Sequence, residues 1–357
     1  MDDTMRDIVE GDLRAVAARD LPWQMLSGCR VAVTGAGGFL GGYLARALLA
    51  LHRLQRVDEP VRVLALVRDA DRARARFADL AADIAAGRLE FLEWDLNTIA
   101  VPELGDVNYV LHAASQASPR FYGTDPVGTM LPNTIGTTAL LAALRRAPDP
   151  RGLMFVSSSE VYGAVAGGGT LEETGYGVVD PATVRACYAE GKRAGEAVCV
   201  AWHHQYGLPT WIVRPFHTYG PGLTAEDGRV FADFAYNVAR GENIVMNSDG
   251  TARRAFCYAS DAVAGFLAVL LRGRPGTAYN VANADAELSV MELAELLVGL
   301  YPEKRLRVDR RVDTDSPNYI PSPYNRLVPD TGRLEALGWR AEVTPVEGFR
   351  RMIETLR

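Results

Sequence analysis

The sequence predicts an α/β fold: a Rossmann-type doubly wound parallel sheet with a smaller, interleaved C-terminal substrate lobe. Three observations lead to this prediction. Short apolar runs alternate with helical patterns through the first 215 residues, which is typical of a parallel sheet with helices on both faces. A glycine-rich turn, TGAGGFLG at 34–41, joins the first apolar run to a helix. From residue 216 the pattern becomes irregular and rich in proline, which indicates a second lobe.

Length, charge and cysteine usage limit the classes of protein to which the chain can belong. At 357 residues it can form one large α/β domain or two unequal lobes. A net charge of −6 argues against a nucleic-acid-binding surface. No apolar run of about 18 residues and no signal-peptide pattern is present, so we expect neither a membrane span nor secretion. The four cysteines lack CxxC or metal-site spacing, so we expect free thiols, no bound metal and a cytoplasmic location.

Residues 1–27 precede the first strand and are predicted to form an N-terminal helical arm. Ile8, Leu13 and Val16 are spaced to line one face of a helix. We expect this face to pack on the body of the protein or on a partner subunit. A frayed terminus is the alternative.

The rest of the chain is predicted to form two interleaved units. Residues 28–215 are expected to form the NAD-binding Rossmann domain, together with a return segment at about 255–285. The substrate-binding lobe is expected to consist mainly of residues 216–254 and 286–357. Within the latter segment, residues 316–330 contain four prolines and are predicted to be interwoven with the smaller lobe.

The glycine-rich turn has the spacing GxxGxxG, after an apolar strand at 30–34 and before a helix at 43–49. In this context Gly35 allows the tight turn, Gly38 allows a pyrophosphate to approach, and Gly41 allows close helix–strand packing. The pyrophosphate would bind the helix N-terminus, whose free N–H groups and dipole favour an anion. A tight turn without a ligand is the alternative.

The second strand ends on Arg68 and Asp69, whereas NAD-binding sheets usually place an acidic residue there for the adenosine ribose. NAD is the expected cofactor, but NADP stays open because Arg68 suits a 2′-phosphate. Alternatively, Arg68 begins an arginine-rich helix with a solvated face. His112, at the end of the fourth strand, is interpreted as a satisfied side chain rather than a catalyst, and the small residues after it leave room for a cofactor.

The further elements continue the β/α alternation. Strands are predicted at 61–67, 89–94, 107–111, 152–156 and 210–214, and helices at 70–86, 126–146 and 184–206. The residues expected to contact the cofactor are Gly35, Gly38, Phe39, Leu40, Gly41, Arg68, Asp95, Leu96, Ala113, Ala114, Ser115, Tyr188 and Lys192.

Tyr188 and Lys192 are four residues apart, a spacing that puts both side chains on one face of a helix. A phenol is a poor base at neutral pH, but a nearby ammonium favours its ionised form. The pair is therefore a candidate proton acceptor for a sugar hydroxyl that loses a hydride. The YxxxK spacing alone is common and also fits an ordinary helix face. The glycine turn and the cluster at 157–160, which follows a buried strand, favour the catalytic interpretation.

The motifs TGAGGFLG, HAAS, SSSEVYG, YxxxK, RPFHTYGP and RRAFCY, in this order, resemble those of the extended short-chain dehydrogenase/reductases that act on nucleotide sugars. The resemblance covers nearly the whole chain from about residue 28. Within that superfamily the chain is most similar to the UDP-glucuronate decarboxylases. This similarity rests on the sequences at 117–122, 185–193 and 227–230.

The resemblance implies that NAD oxidises C4 of UDP-glucuronate, with Tyr188 as base, Lys192 tuning it and Ser158 bound to the same oxygen. Carbon dioxide then leaves, which gives UDP-4-keto-xylose or, after return of the hydride, UDP-xylose. Arg254 would lie near the carboxylate and phosphates, and Glu160 would orient the sugar or deliver a proton. A homodimer is expected, with helices 126–146 and 184–206 at its interface. The residues expected to bind the substrate are Ser118, Tyr122, Asn133, Ser159, His217, Arg229, Arg254 and Arg326.

Ser159 helps to choose between chemistries within this superfamily. The related 4,6-dehydratases carry Asp-Glu at the positions of Ser159 and Glu160, because they need an acid and a base together. Decarboxylation needs neither, so the serine favours it, while a 4-epimerase remains an alternative. A dinucleotide-binding regulatory protein and a scaffold are the non-enzyme alternatives. Glu160 could instead be a strand-end carboxylate in a salt bridge. Arg254 could pair with Asp249 or Asp261, and Arg229 and Arg326 could be solvated charges.

Overall fold

The computed structural model describes residues 2–165, 170–311 and 326–356, so residues 316–325 of the predicted interwoven stretch lie outside the described residues. The strands are β1 (Arg30–Thr34), β2 (Arg62–Val67), β3 (Leu89–Glu93), β4 (Tyr109–His112), β5 (Gly152–Val156), β6 (Thr170–Leu171), β7 (Thr210–Pro215), β8 (His217–Tyr219), β9 (Ile244–Met246), β10 (Arg253–Tyr258), β11 (Thr277–Val281), β12 (Glu287–Ser289), β13 (Val308–Arg310) and β14 (Arg326–Pro329). The helices are α1 (Asp3–Ala18), α2 (Phe39–Arg53), α3 (Ala70–Arg76), α4 (Ala81–Ala85), α5 (Arg120–Thr124), α6 (Pro126–Met130), α7 (Ile135–Leu144), α8 (Cys187–Tyr206), α9 (Val230–Arg240), α10 (Ala259–Arg272), α11 (Val290–Gly299), α12 (Gly332–Glu335) and α13 (Pro345–Glu354).

The main sheet of the described chain has seven strands in the order β11-β7-β5-β4-β1-β2-β3. Every neighbouring pair is parallel. The chain passes from β1 to β2 on one side and returns to β4 on the other, so the carboxyl ends of β1 and β4 flank the point where such sheets bind ligands. This topology confirms the predicted Rossmann-type fold.

Helices cover both faces of the main sheet. On one face α2 and α10 share a core with the strands, and on the other face α7 and α8 do so. Because both faces are covered, β4 and β5 are buried along their whole length and show no alternation of apolar and polar residues.

Two predicted helices are interrupted in the structure. The stretch predicted at 126–146 forms α6, a 3-10 turn at Leu131–Asn133 and α7. Pro132 explains this break, because its ring has no N–H to continue the helical ladder. The stretch predicted at 70–86 likewise divides into α3, a 3-10 turn and α4.

The smaller lobe contains a second sheet, in the order β12-β10-β14-β6, with β8 paired to β10. Its core includes Phe231 of α9, Phe256 of β10 and Phe349 of α13, all fully buried. Strand β10 runs directly into α10, which is buried in the core of the main domain. The chain therefore crosses from the lobe to the main domain at Tyr258.

The N-terminal helix α1 packs against α2, α10 and α13. It begins at the cap residue Asp2, whose carboxylate accepts a hydrogen bond from Met5 N at 2.7 Å. Val9, Leu13 and Val16 form its buried stripe. This arm therefore contacts helices of both units.

A buried ion pair fixes α8 to the main sheet. Arg214 of β7 donates from Nε and Nη2 to Glu196 of α8, at 2.9 and 2.6 Å. Glu196 Oε1 also accepts a hydrogen bond of 2.5 Å from Ser157 Oγ, immediately after β5. Because a buried charge is costly unless it is paired and hydrogen-bonded, this pair sets the position of α8 over β5 and β7.

Replacing Glu196 with alanine should lower the free energy of unfolding by about 3–5 kcal/mol, because Arg214 would keep a buried charge without its partner. Glu190→Ala is the matched control on the same helix, since it removes a partly exposed pair with Arg193 at 3.1 Å. That pair should contribute less than about 1 kcal/mol. Urea unfolding of both variants measures the difference, and equal losses would contradict this role of Glu196.

Candidate active site

A cavity of about 1510 Å³ lies between the carboxyl edge of the main sheet and the smaller lobe. It brings together most of the residues that the sequence singled out. Those that line it are Gly35, Gly38, Phe39, Leu40, Gly41, Arg68, Asp95, Leu96, Ala113, Ala114, Ser115, Ser118, Tyr122, Ser158, Ser159, Glu160, Tyr188, Lys192, His217, Arg229 and Arg254.

The glycine turn has the shape that a dinucleotide requires. Gly35 has φ +67°, and a Cβ there would lie 2.9 Å from Ala114 Cα. A Cβ on Gly41 would collide with the carbonyl oxygen of Gly35. Helix α2 begins after Gly38, and its first residues line the cavity. Because Gly38 provides no side-chain cap, the first-turn N–H groups of α2 are available to bind a pyrophosphate.

The end of the cavity beside Arg68, where the adenosine of a dinucleotide would bind, is compatible with both cofactors that the sequence suggested. Arg68 lines it, whereas Asp69 accepts a hydrogen bond from Arg72 N at 2.8 Å and so caps α3. Trp94 Nε1 and Asn97 Oδ1 also belong to this end. They are buried and have no hydrogen-bond partner within the described residues, so the pocket offers one donor and one acceptor to a base.

His112 is fully integrated into the protein interior. Its Nδ1 lies 2.7 Å from Thr34 Oγ1, and its Nε2 lies 2.9 Å from the carbonyl oxygen of Pro132. Thr34 Oγ1 in turn accepts a hydrogen bond from Ala114 N at 3.0 Å. Burial lowers the pKa of His112 to about 3, so the ring is neutral. It holds the ends of β1 and β4 together, in keeping with its interpretation as a satisfied side chain.

The structure places Tyr188 and Lys192 on the face of α8 that meets the end of β5. Tyr188 and Ser158 both line the cavity, and the ring of Tyr188 stacks on that of Tyr122 with 5.1 Å between centroids. Lys192 Nζ donates to the carbonyl oxygen of Val156 at 2.6 Å and lies 5.8 Å from the centre of the Tyr188 ring. The phenol and the ammonium therefore sit side by side at the sheet edge.

The pKa values of this pair differ from the sequence-based expectation. The sequence predicts that the ammonium favours the phenolate, whereas burial raises the pKa of Tyr188 to about 12, with the nearby Ser158 hydroxyl acting in the opposite direction. Burial also lowers the pKa of Lys192 to about 7, with Glu196 acting in the opposite direction. Desolvation is the largest influence on both groups, and spacing along a helix carries no information about it.

Arg185 is a site residue that the sequence-based site missed. Its Nη2 forms an ion pair with Glu160 at 3.0 Å, and its guanidinium lies 4.7 Å from the centre of the Tyr122 ring. Both charged groups line the cavity. Arg185 also opposes the raised pKa of Tyr188, as expected for a nearby cation. The signal was its position three residues before Tyr188, in the same motif.

The smaller lobe contributes a polar and cationic wall to the cavity. Arg229 is held by Asp227 through two hydrogen bonds, of 2.6 and 2.8 Å. Arg254 is buried and donates to the carbonyl oxygen of Arg253 at 2.6 Å. Burial, with Arg254 and Arg229 nearby, moves the pKa of His217 well below its usual range. Its Nδ1 is buried without a partner in the described chain, as is Ser118 Oγ.

Three sequence-based expectations for this region need correction. Asn133 is fully buried behind the cavity, where its Nδ2 donates to Ser115 Oγ at 3.2 Å, so it does not line the cavity. Arg326 on β14 also lies outside it, and its guanidinium is bound at 2.8 and 3.0 Å by Glu287 of β12, on the other side of β10. The alternative partner suggested for Arg254, Asp261, binds Arg19 at 2.6 Å.

A family model and several curated proteins match most of this chain. The family model described as the NAD dependent epimerase/dehydratase family matches residues 31–282. UDP-glucuronic acid decarboxylase 6 from Arabidopsis thaliana is 33% identical over 333 residues, which cover 93% of this chain and 90% of that protein. UDP-glucuronic acid decarboxylase 1 from Xenopus tropicalis is 31% identical over 333 residues, which cover 92% and 72%.

Solved structures share the fold. UDP-glucuronic acid 4-epimerase from Bacillus cereus, in complex with UDP-glucuronic acid and NAD, superposes with a TM-score of 0.73 at 21% identity, covering 92% of this chain and 98% of that one. dTDP-glucose 4,6-dehydratase from Bacillus anthracis, in complex with NAD, gives 0.69 at 20% identity, covering 92% and 96%.

The lowered pKa of Lys192 can be measured directly, because the chain contains only two lysines, Lys192 and Lys304. In protein labelled with ¹³C-lysine, the Lys192 Cε signal should titrate with a midpoint of about 7, and Lys304→Met assigns the two signals. A midpoint near the ordinary lysine value of about 10.4 would contradict this account.

The same pKa determines how stability changes with pH. A lysine whose folded-state pKa is lowered to about 7 penalises the folded state while it is protonated. That penalty is relieved as the pH rises from 7 towards the unfolded value, so stability should rise over this interval. Lys192→Met should remove this rise, whereas Lys304→Met should leave it in place.

Proposed function

The chain belongs to the NAD-dependent epimerase/dehydratase family, and we propose that it decarboxylates UDP-glucuronate through a 4-keto intermediate to UDP-4-keto-xylose, UDP-xylose or both. The relatives at 31–33% identity that are named as UDP-glucuronic acid decarboxylases support this proposal over nearly the whole chain.

The observation that carries the proposal is the combination of Tyr188 with arginines in one cavity. Arg185, Arg229 and Arg254 all line it, so the sugar end suits an anionic sugar and its diphosphate. Ser159 also lines it, at the position where the 4,6-dehydratases resembled by this chain carry an acid. A cationic site without that acid favours loss of a carboxylate over loss of a hydroxyl group.

The glycine turn at 35–41 would hold the pyrophosphate of NAD, and Tyr188 with Lys192 would lie beside its reactive end. With NAD bound, the cavity contains a hydride acceptor and a positive charge, which favours the phenolate of Tyr188. Arg68 leaves NADP open as a second dinucleotide.

Each side chain near the sugar would have a separate role in the proposed reaction. Tyr188 Oη would take the proton of the 4-hydroxyl, while Ser158 orients the same oxygen. Oxidation at C4 puts the ketone β to the C6 carboxylate, so the C5–C6 bond can break and its electron pair move into an enolate. Arg185 would hold the substrate carboxylate before cleavage, and its ion-paired partner Glu160 would relay a proton from solvent to C5. Return of the hydride to C4 would give the pentose.

Incubation of the pure protein with UDP-glucuronate and NAD tests the proposal. We expect loss of carbon dioxide by mass spectrometry, with NADH absorbance rising only to the extent that the keto product escapes. Tyr188→Phe should lower turnover by about 10²-fold or more, because the proton acceptor is lost. Tyr206→Phe, an exposed phenol on the same helix, is the control.

Two other outcomes of this assay would contradict the proposal. A product of unchanged mass with inverted C4 would indicate a 4-epimerase. No reaction would direct the test to neutral UDP- and dTDP-hexoses.

We further propose a homodimer formed through α6, α7 and α8. The segment Pro126–Leu144 is long and apolar enough to cross a membrane by composition alone, but 61% of it is buried, as in core helices of soluble proteins. Its outer side, with α8, forms an apolar groove whose residues include Ile99, Ile135, Ala139 and Val198. A second copy of the chain is the proposed occupant, since exposed apolar patches mark interaction sites and most soluble oligomers are symmetric assemblies of one chain.

Thr138→Arg should convert the dimer to a monomer without unfolding it, because the position is exposed in one chain and would be covered in two. Sedimentation at several protein concentrations measures this change. Val346→Arg, an exposed apolar position on α13, is the control. A wild-type monomer, or a dimer unaffected by Thr138→Arg, would contradict the proposed interface.

A further inference from the structure

A buried polar cluster around Asp12 joins four segments that are distant in sequence. Asp12 of the N-terminal arm is completely buried. Its Oδ2 accepts hydrogen bonds from the phenols of Tyr43 at 3.0 Å and Tyr258 at 2.9 Å. Its Oδ1 accepts one from Arg351 Nη1 at 3.1 Å. Burial raises the pKa of Asp12 to about 6, although all three partners favour its ionised form.

The two phenols belong to elements that build opposite sides of the cavity. Tyr43 lies one turn after Phe39 on α2, and the two rings meet edge to face at 5.9 Å. Phe39 lines the cavity at the glycine turn. Tyr258 is the last residue of β10, which also carries Arg254 and Phe256 to the cavity wall. Asp12 is thus a common acceptor for the cofactor-binding helix and the substrate-lobe strand.

Attachment of the arm does not by itself require a carboxylate at this position. Arg19 binds Asp261 at 2.6 Å, and Glu10 binds Arg53 of α2 at 2.5 Å. The apolar residues of α1 are buried as well. A carboxylate buried at position 12 costs desolvation energy, and what it adds is the geometry of the two phenols.

We propose that Asp12 is a positioning residue of the active site. By holding Tyr43 and Tyr258 on one oxygen, it fixes the strand that carries Arg254 relative to the helix that begins at the glycine turn. The identity of the ligand rests on the proposed function. The Asp12 clamp, by which we mean the two hydrogen bonds that join α2 to β10 through Asp12, does not.

Calorimetric titration of the NAD-saturated protein with UDP-glucuronate tests this role. Asp12→Ala should weaken binding about tenfold or more, because two buried phenols lose their acceptor and β10 moves out of register. Asp12→Asn keeps an acceptor oxygen and should restore most of the affinity. Glu10→Ala, which removes an exposed ion pair between α1 and α2, should bind UDP-glucuronate as the wild type does. Tyr258→Phe keeps the ring and should weaken binding even if Asp12→Ala fails to fold.

Hydrogen exchange of the protein with NAD alone provides a readout that does not depend on the sugar. Asp12→Ala should speed exchange in residues 39–43 and 253–258, and Glu10→Ala should not. The proposal would be overturned if Asp12→Ala, measured well below its melting temperature, kept the wild-type affinity for the sugar. It would also be overturned if the faster exchange of Asp12→Ala were confined to residues 3–18, because Asp12 would then only anchor the arm. If the wild type does not bind UDP-glucuronate while the exchange result holds, the proposed substrate is wrong and the clamp stands.

Discussion

The ion pair between Glu196 and Arg214 is the interaction on which the active-site edge depends. It joins α8 to β7, and through Ser157 it also joins α8 to the end of β5. Lys192 lies one turn before Glu196 on the same helix, so the placement that satisfies the ion pair also brings Lys192 to the carbonyl of Val156. The charge of Glu196 also raises the pKa of Lys192 against the effect of burial. The hydrogen bonds that hold α8 on the sheet therefore also position Lys192.

The cavity combines two environments that would suit a sugar acid, the proposed substrate. On the main-domain side, buried hydroxyl and ammonium groups surround the end of β5, where low polarity strengthens each hydrogen bond. On the lobe side, Arg229 and Arg254 line the cavity, and guanidinium groups suit carboxylate and phosphate ligands. Strand β10 carries Arg254 on this second side and then continues as a helix of the main domain, so the position of the cationic wall depends on how the two units pack.

Local spacing predicted the parallel sheet, the glycine turn and the Tyr188–Lys192 pair, because each depends on residues a few positions apart. Contacts between distant segments were not predictable in this way. The Arg185–Glu160 pair spans 25 residues, and the partners of Asp12 come from three other segments. The position of Arg326 outside the cavity could not be predicted from spacing, because it depends on the pairing of β12 and β14 with the two sides of β10, which brings Arg326 to Glu287. The effect of burial on the pKa of Tyr188 could not be predicted from spacing either, because burial is a property of the folded chain.

The central claim is that carbon dioxide is lost only after Tyr188 has enabled oxidation at C4. The most direct test compares UDP-glucuronate with its 4-deoxy analogue, which keeps the carboxylate but has no hydroxyl group for Tyr188 to deprotonate. The account predicts that both compounds bind to the NAD-loaded protein and that only UDP-glucuronate releases carbon dioxide. Release from both compounds, or from neither, would contradict it.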